Sequence, residues 1–302
     1  MVLKRKKFIM EDVFCQHMLS LTNSLSVSDN FSYLDVTPFT QVQSSDELFF
    51  KSLRTDDIST SCSLQSVNTC ENLTNVEKLR LDDSTELLLK DIVKTISQYQ
   101  FLQELSLSYS LLSDELLTAL SCDDRINLKT MKIEVYPDEK PLPHISDKTW
   151  LTLENHLPYL NVVLTSYLSD EDNCNDFLIT PIPVTHLFLS RSPPEITVDR
   201  ISKCCTRLVE LIISSYNFGL IDEPLIAAAK GCPKLSAISL GDCEFTCSGL
   251  VEFVGICKER LQILLIWETS LMEDSNLNVD ETASRVSCLL GRPWMPESIP
   301  FW

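Results

Sequence analysis

The chain has 302 residues, of which 44% are hydrophobic, enough for the core of one repeat array or of two ordinary domains. Its formal net charge of −18 argues against nucleic acid and anionic membranes as partners, because both carry negative charge themselves. No apolar run approaches the roughly 20 residues of a membrane helix, and no long apolar stretch follows the basic residues 4–7 as in a secretory signal. We therefore expect an intracellular protein.

Residues 1–60 form a divergent N-terminal segment that we expect to be partly disordered. Its stretch Lys4-Arg-Lys-Lys7 has the composition of a nuclear import signal, but a loose basic terminus has it too, and the sequence leaves both readings open. Leu53 lies 26 residues before Leu79, so a degraded repeat is expected to begin near Phe50.

From residue 61 to residue 290 a six-residue pattern, apolar-x-x-apolar-x-apolar, recurs at steps of 24 to 29 residues. The eight copies begin at Val76, Leu102, Leu128, Leu157, Val184, Leu208, Leu235 and Leu261. A period in this range, with one strand and one returning helix per unit, is typical of leucine-rich repeats. The pattern predicts an α/β solenoid, or horseshoe, with a concave parallel sheet and convex helices.

Helical spacing and end signals lie between these copies. They predict helices over residues 86–97, 113–120, 222–229 and 247–257. Ser113 and the acids after it suit a helix N-terminus, and Pro224 suits a first turn. Gly231 is expected to supply the stop of its helix.

Residues that alternate with the buried strand positions are expected to face the concave side. In the early repeats these are polar: Lys78, Arg80, Asp82, Glu104, Ser106, Thr130, Lys132 and Glu134. In the late repeats they are apolar: Phe188, Ile212, Ile263, Leu265 and Trp267. An exposed apolar patch often marks a partner site, so Phe188, Ile212 and Trp267 are candidate partner contacts. The alternative is that the C-terminal segment covers Ile263 to Trp267 as a cap.

The twelve cysteines of this chain are interpreted as thiols. Cys205, Cys232 and Cys257 recur at one place in the repeat and are expected to pack as small apolar side chains. Zinc is the alternative, but paired Cys-x-x-Cys spacing with nearby histidines is missing. The four histidines show no catalytic spacing, so we expect no cofactor, no metal and no enzymatic activity.

The last twelve residues, 291–302, contain three prolines and are expected to form an extended tail. Aromatic anchors are enriched among binding hot spots, so the tail supplies further candidate partner contacts. These are Trp294, Met295, Pro300, Phe301 and Trp302. The sequence equally allows Trp294, Phe301 and Trp302 to fold back as the terminal cap that a solenoid needs.

Several short sequence segments in the last 230 residues or so carry a specific resemblance to a known family. They are Leu102-Gln-Glu-Leu-Ser-Leu, Leu111-Leu-Ser-Asp-Glu-Leu-Leu-Thr-Ala-Leu-Ser121, Pro183-Val-Thr-His-Leu-Phe-Leu-Ser-Arg-Ser192, Arg207-Leu-Val-Glu-Leu, Cys247-Ser-Gly-Leu-Val-Glu-Phe-Val254 and Leu290-Gly-Arg-Pro-Trp-Met-Pro with the final Trp302. The region resembles the F-box/leucine-rich-repeat proteins that capture cryptochromes.

The resemblance implies a substrate receptor of a Skp–cullin–F-box ubiquitin ligase, present in the nucleus and the cytoplasm, that takes part in circadian protein degradation. It implies that the concave face embraces a cryptochrome-type flavoprotein and that Trp302 enters the flavin pocket, with Pro300, Phe301, Trp294 and Met295 in the same tail. The chemistry of ubiquitin transfer belongs to other subunits, so the chain itself is expected to be non-catalytic.

The opening of the chain departs from that family. Residues 1–60 contain no recognisable F-box, and no tryptophan precedes Trp150. We expect either an incomplete gene product or a receptor without its ligase adaptor, which would act as a decoy that shields its partner. The Skp–cullin core is an expected partner only if the full gene product carries an F-box. The rival from another class is a plain interaction scaffold, because a solenoid shape does not fix function.

Overall fold

A computed structural model describes residues 76–81, 89–96, 99, 101–122, 127–138, 141–169, 177–190, 195–214, 219–241 and 243–297. Several predicted features lie outside these residues: the N-terminal segment 1–60, its basic stretch, Asp82, and the tail residues Pro300, Phe301 and Trp302.

Strands and helices alternate along the described chain. The strands are β1 Lys78–Leu81, β2 Glu104–Ser108, β3 Thr130–Val135, β4 Asn161–Ser166, β5 His186–Leu189, β6 Glu210–Ser214, β7 Ala237–Gly241, β8 Phe245–Thr246, β9 Ile263–Ile266 and β10 Leu271–Met272. The helices are α1 Leu89–Ile96, α2 Asp114–Cys122, α3 Asp147–His156, α4 Glu195–Cys204, α5 Asp222–Gly231, α6 Cys247–Cys257 and α7 Val279–Leu290.

One all-parallel sheet joins eight of the described strands in the order β1-β2-β3-β4-β5-β6-β7-β9. The helices pack on their neighbours along one side of this sheet, and the apolar anchors of the repeats form one continuous core between the two layers. Burying a Leu or Ile contributes roughly 1.5–3 kcal/mol, and each repeat can bury its anchors only when its neighbours cover both flanks. The predicted leucine-rich-repeat solenoid is confirmed.

The fourth copy of the pattern differs in register from the sequence prediction. Leu157 and Leu160 lie before β4, and the strand instead turns Val162 and Leu164 into the core. Val162 pairs with Met131 on one side, whereas Leu164 pairs with Leu187 on the other. The sequence 160–164 offers apolar residues at every second position, so the six-residue pattern could be matched too early. The register of the sheet therefore steps by two residues across β4.

The helix predictions hold in position, apart from residues 86–88 and 97 of the first helix, which lie outside the described residues. The Ser113 hydroxyl accepts the Leu116 N–H at 3.1 Å, as expected of a cap, and α6 spans the predicted residues. Helix α5 ends at Gly231, but Gly291 after α7 is the described glycine with positive φ, at 65°. A Cβ at Gly231 would overlap the carbonyl oxygen of Ser202 in α4. Gly231 therefore ends α5 as predicted and also permits the close approach of two helices.

Candidate partner-binding face

The concave face of the sheet carries the residues that alternate with the core. In β2, for example, Leu105 and Leu107 are buried in the core, while Glu104 and Ser106 are partly exposed on the opposite face. Parallel pairing aligns such residues into rows that cross the sheet. The face changes character along these rows, from ionic residues on β1–β3 to apolar residues on β5, β6 and β9.

An ion-pair ladder covers the concave face of β1–β3. Lys78 Nζ lies 3.5 Å and Lys132 Nζ 2.7 Å from the two carboxylate oxygens of Glu104. Arg80 Nη2 lies 2.9 Å from Glu134 Oε2. Burial raises the pKa of Glu104, but the hydrogen bond and charge of Lys132, together with Lys78, outweigh it, so the pKa is lowered overall. Glu104 therefore stays ionised between two lysines.

Two stacked tyrosines extend this ladder toward the centre of the face. The rings of Tyr136 and Tyr167 lie 4.9 Å apart and are inclined by 8°. The Tyr136 hydroxyl donates a hydrogen bond to Glu134 Oε2 at 3.0 Å. Burial, followed by the charge of Glu134, raises the pKa of Tyr136, so the phenol remains a donor. The stack fixes the carboxylate that holds Arg80.

A second apolar cluster, separate from the main core, lies on the concave side of β5 and β6. It consists of Phe188 and Ile212, with Val163, Leu265 and Trp267 packed against them. The expectation of an exposed apolar patch is wrong for Phe188 and Ile212, because they are 8% and 1% exposed. Leu265 and Trp267 remain partly exposed.

Trp294 lies in the cap that the sequence left as the alternative to partner contact. It is 9% exposed, and its indole N–H donates to the carbonyl of Leu264 at 2.8 Å. Its backbone N–H donates to Ser287 Oγ at 2.9 Å, which ties the segment to α7. The left-handed Gly291 makes the turn that brings the chain back. Trp294 therefore covers the open end of the core, whereas Met295 is 73% exposed.

The chain after Trp294 joins the end of the concave sheet. The Glu297 N–H donates to the carbonyl of Ile266 at 2.7 Å, and the Glu268 N–H donates to the carbonyl of Glu297 at 2.9 Å. Glu297 thereby forms a parallel bridge with Trp267. These bonds fix the point from which residues 298–302 continue.

Three cysteines and one histidine of the repeats lie in environments typical of structural residues. The thiols of Cys205, Cys232 and Cys257 are fully buried, and burial raises their pKa. His186 lies on the concave face, where burial lowers its pKa and Thr185 Oγ1 is 2.8 Å from its Nδ1. Among the residues with described positions, no three His, Cys, Asp or Glu side chains form a group that could hold a metal ion.

Sequence reasoning missed a set of aspartates that link successive repeats. Asp114 accepts the backbone N–H of Ser146 at 3.0 Å, and Asp274 accepts that of Ser248 at 2.8 Å. Asp222 accepts the N–H of Thr246 at 3.3 Å. Ser146, Ser248 and Thr246 lie at or next to helix N-termini. Asp114 and Asp222 were visible in the sequence as first-turn acids, but the partners of the three aspartates, 24 to 32 residues away, were not.

Comparison with known proteins identifies relatives that match about three quarters of the chain. No protein-family model matches the chain. It is 35% identical to F-box/LRR-repeat protein 21 of Ovis aries over 240 residues, which are 78% of this chain and 55% of that protein. The chain is homologous to the F-box/LRR-repeat proteins. F-box/LRR-repeat protein 21 of Mus musculus is 35% identical over 234 residues, covering 76% of this chain and 54% of the relative. The chain thus spans about half the length of the curated relatives it matches. None of the helices in the described ranges is long and apolar enough to cross a membrane.

Proposed function

We propose that this chain is a non-catalytic substrate-recognition subunit that resembles the receptors of Skp–cullin–F-box ubiquitin ligases. The observation that carries the proposal is its homology to F-box/LRR-repeat protein 21 along most of its length. On this proposal the chain holds a substrate for ubiquitination and degradation, and other subunits perform the transfer.

The concave sheet is the proposed substrate-binding surface. Eight strands spaced by about 4.8 Å give it a width of roughly 34 Å, which suits a folded domain better than a small molecule. Its ionic side on β1–β3 and its partly exposed Leu265 and Trp267 offer two kinds of contact on one face. Solenoids use such extended concave surfaces to bind other proteins.

The proposed substrate is a cryptochrome-type flavoprotein, with Trp302 entering its flavin pocket. Glu297 is fixed beside Trp267 at the end of the concave sheet, which supports a tail that starts next to a bound partner. The five residues after Glu297 can reach about 17 Å when extended, enough to enter a pocket at the interface. Circadian regulation, in the nucleus and the cytoplasm, is part of this proposal.

Capture of a purified cryptochrome photolyase-like domain tests the proposal. Removal of residues 300–302, or Trp302→Ala, should abolish capture, and excess flavin should weaken it by competition for the pocket. Tyr159→Ala is the matched control, because Tyr159 is an aromatic residue 92% exposed in the turn before β4. Capture that is unchanged both by removal of the tail residues and by excess flavin would contradict the proposed binding mode.

A pull-down from cell extract distinguishes a ligase receptor from a decoy that shields its partner. Recovery of the Skp-type adaptor together with cryptochrome would support a ligase receptor. Recovery of cryptochrome without the adaptor, together with a longer half-life of cryptochrome when the chain is expressed, would favour the decoy instead. Fractionation of the same cells checks the proposed presence in nucleus and cytoplasm.

A further inference from the structure

The step from β4 to β5 differs from the other steps of the sheet. Helices join the other successive strands, whereas the described part of this step, residues 167–169 and 177–185, contains no helix. An irregular segment fills less space than a helix, whose diameter with side chains is about 10–12 Å. A cavity of about 210 Å³ lies where this segment meets the stretch before α3 and the turn after β2.

The segment that stands in place of the helix is fastened to α4 at three points. The Phe177 carbonyl accepts a hydrogen bond from Arg200 Nη1 at 2.8 Å, and the Leu178 carbonyl accepts one from Cys204 Sγ at 3.0 Å. The Ile182 N–H donates to the carbonyl of Cys204 at 2.9 Å. Leu178 between these bonds has a φ of 52°, which a non-glycine residue keeps only where its surroundings impose it. This wall of the cavity is therefore in place without a ligand.

Apolar side chains form most of the cavity wall. Ile145, Leu178 and Ile182 are buried there, and Ile179 is 45% exposed. The described lining contains no Lys, Arg, Asp or Glu. Taking an unpaired charge out of water costs far more than burying a neutral group. A ligand of this cavity should therefore be uncharged.

Tyr109 brings an unpaired hydroxyl to the cavity. It lies in the 3₁₀ turn Tyr109–Leu111 after β2, and its ring packs edge-to-face on that of Phe177, with centroids 6.2 Å apart. Tyr109 is 6% exposed, and its hydroxyl makes no hydrogen bond to the described part of the chain. Burial raises the pKa of Tyr109 to about 12, so the hydroxyl stays protonated. Because buried hydroxyls normally have a hydrogen-bond partner, the cavity is where the missing partner can bind.

We infer that this cavity binds a neutral single-ring group that carries one hydrogen-bonding atom for Tyr109. Its size selects a single ring, because a cavity of about 150 Å³ holds benzene, whereas sites for drug-sized ligands span roughly 300–1,000 Å³. In such sites a few polar groups on an apolar wall fix the orientation of the ligand. The inference is independent of the proposed function, because none of the residues assigned to partner binding lines the cavity.

Titration with p-cresol, followed by ligand-observed NMR, tests the inference. Toluene has the same ring and methyl group without the hydroxyl, and benzoate carries a charge. Tyr109→Phe removes the hydroxyl that should bind p-cresol. The matched control is Tyr159→Phe, which removes a hydroxyl from a residue 92% exposed in the turn before β4. Thr180→Phe adds a ring to the partly exposed side of the cavity and should block p-cresol and toluene alike.

We expect p-cresol to bind the parent chain and the Tyr159→Phe control equally. Tyr109→Phe should weaken p-cresol about fivefold or more, because it leaves the buried hydroxyl of the ligand without a partner, and it should leave toluene binding unchanged. Since the Tyr109 hydroxyl has no partner in the protein, the melting temperature of Tyr109→Phe without ligand should not fall. A lowered melting temperature would show a bond within the protein and overturn the inference.

Three binding results would also overturn it: no binding of p-cresol to the parent chain, equal effects of Tyr109→Phe on p-cresol and toluene, or tighter binding of benzoate than of p-cresol. A free compound and the tyrosine side chain of another protein present the same chemistry. Comparison of p-cresol with a peptide that carries one tyrosine between glycines separates these sources. Tighter binding of p-cresol would assign the cavity to a free compound, and tighter binding of the peptide would assign it to a side chain.

Discussion

Replacing Gly231 by alanine should separate two helices of the array. Gly231 is the last residue of α5, and its Cα faces the backbone of Ser202 in α4. An alanine Cβ would overlap the Ser202 carbonyl oxygen and lie 3.0 Å from the carbonyl and α carbons of the same residue. Backbone atoms inside a helix cannot rotate away as a side chain can. The two helices must therefore move apart to accommodate one methyl group.

The expected cost follows from two opposing effects. Forcing an extra carbon into a packed contact costs about 1–3 kcal/mol. Alanine in place of glycine in a helix returns about 0.5–1 kcal/mol. The net loss of unfolding free energy should be about 1–2 kcal/mol, and each kcal/mol lowers Tm by about 2–4 °C in an array of this size.

Urea unfolding at equilibrium measures this loss directly. The matched control is Gly255→Ala in α6, where nothing lies within 4 Å of the new methyl group. The control should gain stability, because it has the helical benefit of alanine without the overlap. A Gly231→Ala protein as stable as the parent, or equal responses of the two glycines, would refute the packing argument.

Three further predictions concern the cap, an aspartate link and the thiols. Trp294→Phe removes the indole N–H that donates to the Leu264 carbonyl, and should lower the free energy of unfolding in urea by about 1–3 kcal/mol. Cryptochrome capture should persist in this variant. Loss of capture without loss of stability would instead make Trp294 a partner contact. Backbone N–H donors lower the pKa of Asp274 to about 2, so the stability it contributes is present above its ordinary pKa of 3.8 and is lost as the pH falls toward 2. Asp274→Asn should therefore flatten the unfolding midpoint across that window, and an unchanged pH profile would contradict the link. Iodoacetamide at pH 8 should label the exposed Cys288 but not the buried Cys205 until urea is added, as peptide mass mapping can establish; native labelling of Cys205 would contradict its burial.

Local periodicity was enough to predict most of the fold. The strand and the helix of each repeat are formed by residues that lie close together in the sequence. The alternation of buried and exposed residues in β2 and the limits of α6 therefore follow from sequence spacing alone. The register of β4 could not be found that way. Leu160 fits the apolar pattern both with Leu157 and with Leu164, and only pairing with β3 and β5 decides between them.

The candidate site was predictable in position but not in exposure. Alternation correctly assigns Phe188 and Ile212 to the side opposite the main core. Their burial depends on side chains from other repeats, among them Trp267, which lies 55 residues beyond Ile212. The close approach at Gly231 could not be predicted either, because its contact partner is Ser202 on another helix.

On the proposed function, the two halves of the concave face are suited to different parts of partner recognition. Exposed charges act mainly on the rate and orientation of encounter, so variants of the ion-pair ladder should change the association rate and its salt dependence. Burial of apolar surface slows dissociation, yet Phe188 and Ile212 already bury most of their surface against each other and against their neighbours. What remains for a partner on that side is the exposed part of Leu265 and Trp267. Glu297, the residue before 298–302, lies beside Trp267, so on the proposed function the tail should supply much of the apolar contact that the sheet itself cannot.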